Sequence, residues 1–207
     1  MDPVTFIAAT PASPPACPCG SIGTDRRTHT KRHMQWAAGV AVPAGLDAAW
    51  PPDTIAVITT ASPIAWRRLA YEIAQVARRA GGYDLASFPA PLGRGSSDAE
   101  NTRALLYCHG DVAAGYLALV DAPTAGRYQL ATRQHTTTGQ GQVRPTVGLV
   151  FVAYHLRRGG IGRALIQAAA QHAHTTPADL AWWTPFTDAS AALARSAASP
   201  DGGVWIA

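Results

Sequence analysis

Lysine is almost missing from this chain: its 207 residues hold one, Lys31, against sixteen arginines. With the high alanine content, that skew reads as GC-rich coding bias rather than as function. Cysteine is scarce too. Three cysteines cannot all pair, so no disulfide framework is implied. No apolar run approaches the length of a membrane span, so no membrane partner is expected. The first residues show no basic stretch leading into an apolar one, so no secretory signal is expected, and a reducing cytoplasm is the default location. No internal repeat is present. Two phosphate-binding loops are also missing. A Walker A loop needs G-x-x-x-x-G-K-[ST], and no segment supplies that lysine and hydroxyl. A dinucleotide fingerprint needs G-x-G-x-x-G early in a domain, whereas the glycines here read G-G-x-G, late in the chain.

Apolar residues make up 47% of the chain, enough for a globular core, and the length suits one domain with an appendage. The net charge of +4 biases the surface towards anionic partners such as coenzyme A, nucleic acid or an acidic protein face.

The most informative stretch is residues 147–171, V-G-L-V-F-V-A-Y-H-L-R-R-G-G-I-G-R-A-L-I-Q-A-A-A-Q. A β-branched apolar run stops at two arginines, turns through glycines and enters a helical pattern. Strand, cationic glycine turn and helix N-terminus together make an anion site. The amides of Gly159, Gly160, Ile161 and Gly162 would face a phosphate, and Arg157, Arg158 and Arg163 would add charge-assisted bonds.

The rest of the chain reads as follows. Residues 1–16 are rich in Pro, Ala and Thr and are expected to be a disordered tail. Residues 17–36 are compact and basic, and 37–52 read as a linker punctuated by Gly and Pro. Residues 54–60 predict a strand. A helix follows from Pro63, with Ser62 as its N-cap and Gly81-Gly82 as its stop. Residues 89–100 read as a turn-rich loop, and 103–108 and 112–120 as a hairpin. The polar stretch 121–144 reads as a mobile substrate loop. After the strand at 147 and the helix at 161 come a strand at 180–184, a helix at 189–198 and a short strand at 204–206. The order is β-α-β-β-β-α-β-α-β, an α/β (α+β) domain over 53–207.

Cys17, Cys19, His29 and His33 are ligand types for tetrahedral Zn²⁺, and the two histidines, four apart, share a helix face. The C-x-C spacing is tighter than usual for a zinc finger. A fortuitous cluster in a basic tail, or Asp25 in place of one thiolate, are the other readings. A closed four-ligand site would be structural. Cys108 reads as a buried strand residue rather than a ligand. The basic run 26–33 offers a nucleic-acid contact or a solvated helix face.

Arg157-Arg158-Gly159-Gly160-Ile161-Gly162 fits the [RQ]-x-x-G-x-[GA] motif of the GCN5-related N-acetyltransferase (GNAT) superfamily. With the finger-like module ahead of it, the chain resembles the zinc-finger-containing cohesion-establishment acetyltransferases. The likeness runs in order over residues 17–198. It is carried by C-x-C-G with the two histidines, T-I-A-V-I-T-T-A-S-P, A-L-L-Y-C-H-G-D-V-A-A-G-Y-L-A-L, the loop block, and W-W-T-P-F-T-D-A-S-A-A-L-A. The resemblance implies a mixed sheet with splayed central strands that holds acetyl-CoA, and acetyl transfer to a primary amine, a protein lysine above all. Val150, Phe151 and Val152 would meet the acetyl and pantetheine region. Residues 158–163 would cradle the pyrophosphate, with Arg157 among the cofactor-binding residues, and Thr184, Pro185 and Phe186 would border the cofactor. The family's proton-handling Ser, Glu and Asp positions are Gly148, Gln167 and Thr184 here. Tyr154, Asp188 and Thr184 are therefore the catalytic candidates, with His155 and Ser190 beside them and the amides of residues 152–154 as oxyanion donors. Asp188 also reads as an N-cap. Trp182 and Trp183 would divide, one buried and one walling the cleft. The alternative function is a nucleic-acid-binding zinc module on a silent acetyltransferase fold.

Overall fold

A computed structural model describes residues 17–21, 24–46, 50–82, 88–90, 101–198 and 200–207. The tail expected at 1–16 and most of the loop expected at 89–100 lie outside the described residues.

The chain order is α1 (Arg26–Ala38), β1 (Val40–Ala41), β2 (Ile55–Ile58), α2 (Ile64–Gly81), β3 (Arg103–His109), β4 (Val112–Pro123), β5 (Gly126–Gln129), β6 (Gln134–Thr136), β7 (Val143–Val152), α3 (Ile161–His172), β8 (Ala181–Trp182), α4 (Asp188–Ala197) and β9 (Gly203–Ile206). The strands form one mixed sheet in the order β2-β3-β4-β7-β8-β9-β5-β6, with β1 pairing β4 beside it. Pairing is antiparallel except for β7–β8 and β8–β9, which are parallel.

Helices cover both faces, which is why the central strands read as continuous apolar runs. On one face Trp36 of α1 and Leu69, Ile73 and Val76 of α2 pack on Leu106, Tyr116, Ala118 and Phe151. On the other, Leu165, Ile166 and Ala169 of α3 and Ala194 of α4 pack on Leu105, Leu117, Leu119 and Trp182. Tyr116 is fully buried at the centre of β4.

Several elements differ from the sequence reading. The stretch expected to be a mobile loop at 121–144 carries the end of β4, the β5–β6 hairpin and the start of β7. Its residues are polar because β6 is exposed throughout. The expected linker at 37–52 holds the end of α1 and β1, whose Val40 and Ala41 pair with Ala113 and Val112. The 17–36 module is likewise continuous with the core, since Cys19 and Trp36 belong to the buried cluster under α2. Pro63, not Ser62, is the cap residue of α2, and the Ser62 hydroxyl accepts from the Thr59 amide instead. The strand expected at 180–184 is two residues long. Cys108 is buried in β3, its thiol donating to the Gly110 carbonyl.

Gly115 sets how closely α3 lies on β4. A Cβ there would stand 2.9 Å from Ile161 Cγ2 and 3.2 Å from Leu165 Cδ1. Gly115→Val should therefore lower unfolding free energy by about 1–3 kcal/mol through overpacking. Denaturant titration measures it, and wild-type stability would show that α3 has room to spare.

Candidate functional site

The site is built where β7 leaves β8. Along β4 the register of β7 shifts between Ala118 and Leu119, leaving Gly148 as an extra residue, a β-bulge. The bulge inverts the side-chain alternation. Val147 packs on the α3 face, Leu149 and Phe151 on the α2 face, and Val150 and Val152 again on the α3 face. Strand β8 pairs with β7 only at Thr146–Ala181 and Val147–Trp182, and the Trp183 amide makes the last bond, to the Val147 carbonyl. Beyond that point β7 runs on to Val152 without further pairing to β8.

The edge this exposes follows from the ladder. The Ala153 amide donates to Ala114, which makes residues 149, 151 and 153 the ones bonded to β4. Alternation then turns the backbone groups of Val150 and Val152 into the wedge. The Val152 carbonyl accepts from Arg157 Nε at 3.1 Å. Of the expected oxyanion donors, the Ala153 amide is spent on β4, and the Val152 amide is the one that alternation aims at the wedge.

The wedge ends at the glycine turn. Gly160 takes φ +85° as the cap residue of α3, and no side chain caps the helix. The first intrahelical bond is Ala164 N–H to Gly160 C=O, so the amides before it keep the open donors of a helix N-terminus. Arg158 sits at φ +68°, a left-handed conformation that costs a non-glycine residue about 1–2 kcal/mol. Arg158, Gly159, Gly160 and Arg163 are exposed around these donors, while Ile161 anchors the turn in the core. Arg157 is placed differently. Its guanidinium lies over the rings of Trp36 and Tyr154, and burial holds it below its ordinary pKa, opposed by Tyr154.

Trp182 is buried and Trp183 is 36% exposed, the division the sequence suggested. The Trp183 ring lies against Gly148, where a Cβ would stand 3.1 Å from it. The indole thus fills the space a serine side chain would need at that position. Thr184, Pro185 and Asp188 are exposed beyond β8, and Phe186 packs beside Trp182 and Tyr128. The N-cap of α4 is Thr187, not Asp188. Thr187 and Ser190 form a reciprocal capping box, which occupies the Ser190 hydroxyl. Asp188 follows in the first turn, where its charge suits the helix dipole. Tyr154, at the exit of β7, is 51% exposed and its ring stacks on Trp36 at 4.6 Å. Gln167 is exposed on α3.

The four predicted metal ligands come together. Their donor atoms all lie within 4.8 Å of one another, with Cys17 Sγ 3.3 Å from His33 Nδ1. Tetrahedral zinc bound by two sulfurs and two nitrogens needs donor separations of about 3.3–3.8 Å, so a small contraction suffices. The C-x-C spacing works because the chain turns tightly, Gly20 N–H bonding Cys17 C=O, with Gly20 pressed on the backbone of Arg79 at the end of α2. Burial raises the Cys19 thiol, but hydrogen bonds with Ser21 and Cys17 outweigh it and leave the thiol below its ordinary pKa, closer to the thiolate a metal requires. Asp25 is engaged as the N-cap of α1, accepting from the Thr28 amide, and is not part of the cluster. A run of rings, His29, His33, Trp36 and Tyr154, links the cluster to the wedge.

The cluster should take up one equivalent of zinc. Chelation, or Cys19→Ser, should lower the thermal midpoint and raise accessibility of the Trp36 ring to a fluorescence quencher. Metal analysis with calorimetry checks this, and an unchanged midpoint on stripping would mean the fold holds without metal.

No protein-family model matches the sequence, and no curated protein matches it. Solved structures do. The xEco2 acetyltransferase domain bound to a CoA conjugate superposes with a TM-score of 0.61 at 15% identity, over 76% of this chain and 93% of that one. A second structure of the xEco2 acetyltransferase domain gives 0.54 at 13% identity, over 81% and 95%. At such identities the likeness concerns the fold. It agrees with the resemblance carried by the sequence motifs: the chain is similar to the acetyltransferase domain of a cohesion-establishment type protein.

Proposed function

We propose that the chain is an acetyl-CoA-dependent N-acetyltransferase acting on a primary amine, a protein lysine in particular. One observation carries the reading. The β7–β8 pairing stops at the Gly148 bulge, and the open edge that results runs directly into an uncapped, arginine-rimmed helix N-terminus. An amide-bearing pantetheine arm matches the first feature and a diphosphate the second.

In this reading Val150 and Val152 offer backbone donors and acceptors to the arm, as an added strand would. The amides opening α3, with Arg158 and Arg163, hold the diphosphate. The thioester supplies an activated acetyl carbonyl. The amine nitrogen bonds to that carbon, the carbon–sulfur bond breaks, and the sulfur leaves with a proton. Val152 N–H is placed to polarise the carbonyl oxygen. An alkylamine titrates at about 10.4, so a proton must leave it before attack. Tyr154 at the strand exit is the proposed proton carrier on the thiolate side, and Asp188 and Thr184 border the amine's approach. Zinc, held by Cys17, Cys19, His29 and His33, would be structural.

Titration calorimetry with acetyl-CoA should show saturable binding. Arg158→Ala with Arg163→Ala should weaken it about 10-fold or more, as expected for lost charge-assisted hydrogen bonds. Tyr154→Phe should lower turnover in a thiol-release assay with lysine peptides while leaving affinity for acetyl-CoA unchanged. Absence of binding heat, or affinity untouched by the double substitution, would overturn the assignment.

A further inference from the structure

A groove of about 630 Å³ runs between α1 and α2, on a different face of α1 from the metal ligands. Its walls carry five cations: Arg27, Lys31 and Arg32 from α1, and Arg68 and Arg79 from α2. Glu72 is the one acid among the described residues that line it, and its carboxylate already accepts from Gln35 Nε2 at 2.6 Å. The cations are crowded. Burial and the neighbouring charges of Arg32 and Arg78 push the Arg79 guanidinium below its ordinary pKa, and the Arg79 Nε is buried without a hydrogen-bond partner. Like charges collected this way repel one another and raise the potential of the groove.

The lining of the groove points to the kind of anion. Arg68 and Arg79 are eleven residues apart on one helix, about 16 Å along its axis. Five cations gathered on the two walls over that length make a basic channel of the kind that tracks the backbone of a single strand. A groove set between two helices also suits one strand better than the convex surface of a duplex. The half-buried Tyr71 on the wall offers the aromatic surface that single-strand grooves use for stacking.

We infer that the groove between α1 and α2 binds a single strand of nucleic acid through its phosphates. The contact would be made by both the finger helix and the first helix of the core, and it is independent of acetyl transfer, since neither the wedge nor the glycine turn takes part. The groove would thus give the protein a second, nucleic-acid-bound address while its wedge stays open.

Fluorescence anisotropy of a labelled, mixed-sequence single-stranded DNA with the zinc-loaded full chain tests it, with no acetyl-CoA present. Binding should weaken steeply with salt, as counterion release requires. Arg27, Lys31 and Arg68 are exposed, so the triple variant R27Q/K31Q/R68Q should keep the fold. It should bind at least tenfold more weakly at low salt, with a log–log salt slope shallower by about two, at roughly 0.7 per phosphate contact. Arg68→Glu alone leaves the finger untouched and should give a smaller loss in the same direction. Three results would each overturn the inference: no binding at low salt, unchanged affinity and slope in both variants, or displacement of the strand by polyglutamate as effectively as by unlabelled DNA.

Discussion

The extra residue at Gly148 is the constraint on which the candidate site depends. Strand β7 has to satisfy two incompatible neighbours. It runs the length of β4, and it also needs to let go of β8 partway along. A regular strand would keep pairing on both edges. The bulge twists β7 and reverses which side chains face which helix layer, so that the strand stays locked to β4 while its other edge opens. Glycine suits the position for a local reason. The Trp183 ring lies directly against it, and a Cβ there would stand 3.1 Å from the indole, so the ring would have to give way slightly.

That pairing of Gly148 with Trp183 also explains a departure that sequence comparison alone leaves bare. Where the resemblance implies a serine this chain has Gly148, and the Trp183 ring packs against it. Ser190 is fixed in a capping box, and Tyr154 stands at the strand exit against Trp36.

Much of this was legible in the sequence. The strand, glycine turn and helix at 147–171 could be read because each signal is local: a β-branched run, a break, and apolar spacing. The gathering of Cys17, Cys19, His29 and His33 could be read from residue type and helical spacing. What was not legible depends on partners. The two-residue β1 has no periodicity of its own, and exists because Gly39 lets the chain come against Ala113. The β5–β6 hairpin is polar and its β6 strand is exposed, so it looks like a loop until β9 pairs with β5. Strand β8 is short because its partner turns away, not because its own residues disfavour a strand. The role of Arg157 was hidden too. Its neighbours in sequence place it on an anion loop, while Trp36, more than a hundred residues earlier, draws its guanidinium over a pair of rings. The contact of the 17–36 segment with the sheet was hidden for the same reason, because Cys19 and Trp36 pack in the cluster under α2.

The order β8-β9-β5-β6 puts the strand at 203–206 between two parts of the sheet that precede it in the chain. Among the described strands, β5 and β6 reach the rest of the ladder only through that four-residue segment. It is a keystone strand: the hairpin at 126–136 has nowhere to dock until a segment some seventy residues downstream has been laid beside β8. Closing so long a loop comes late in folding. A cut just before Gly203 would therefore remove one strand and set two others adrift.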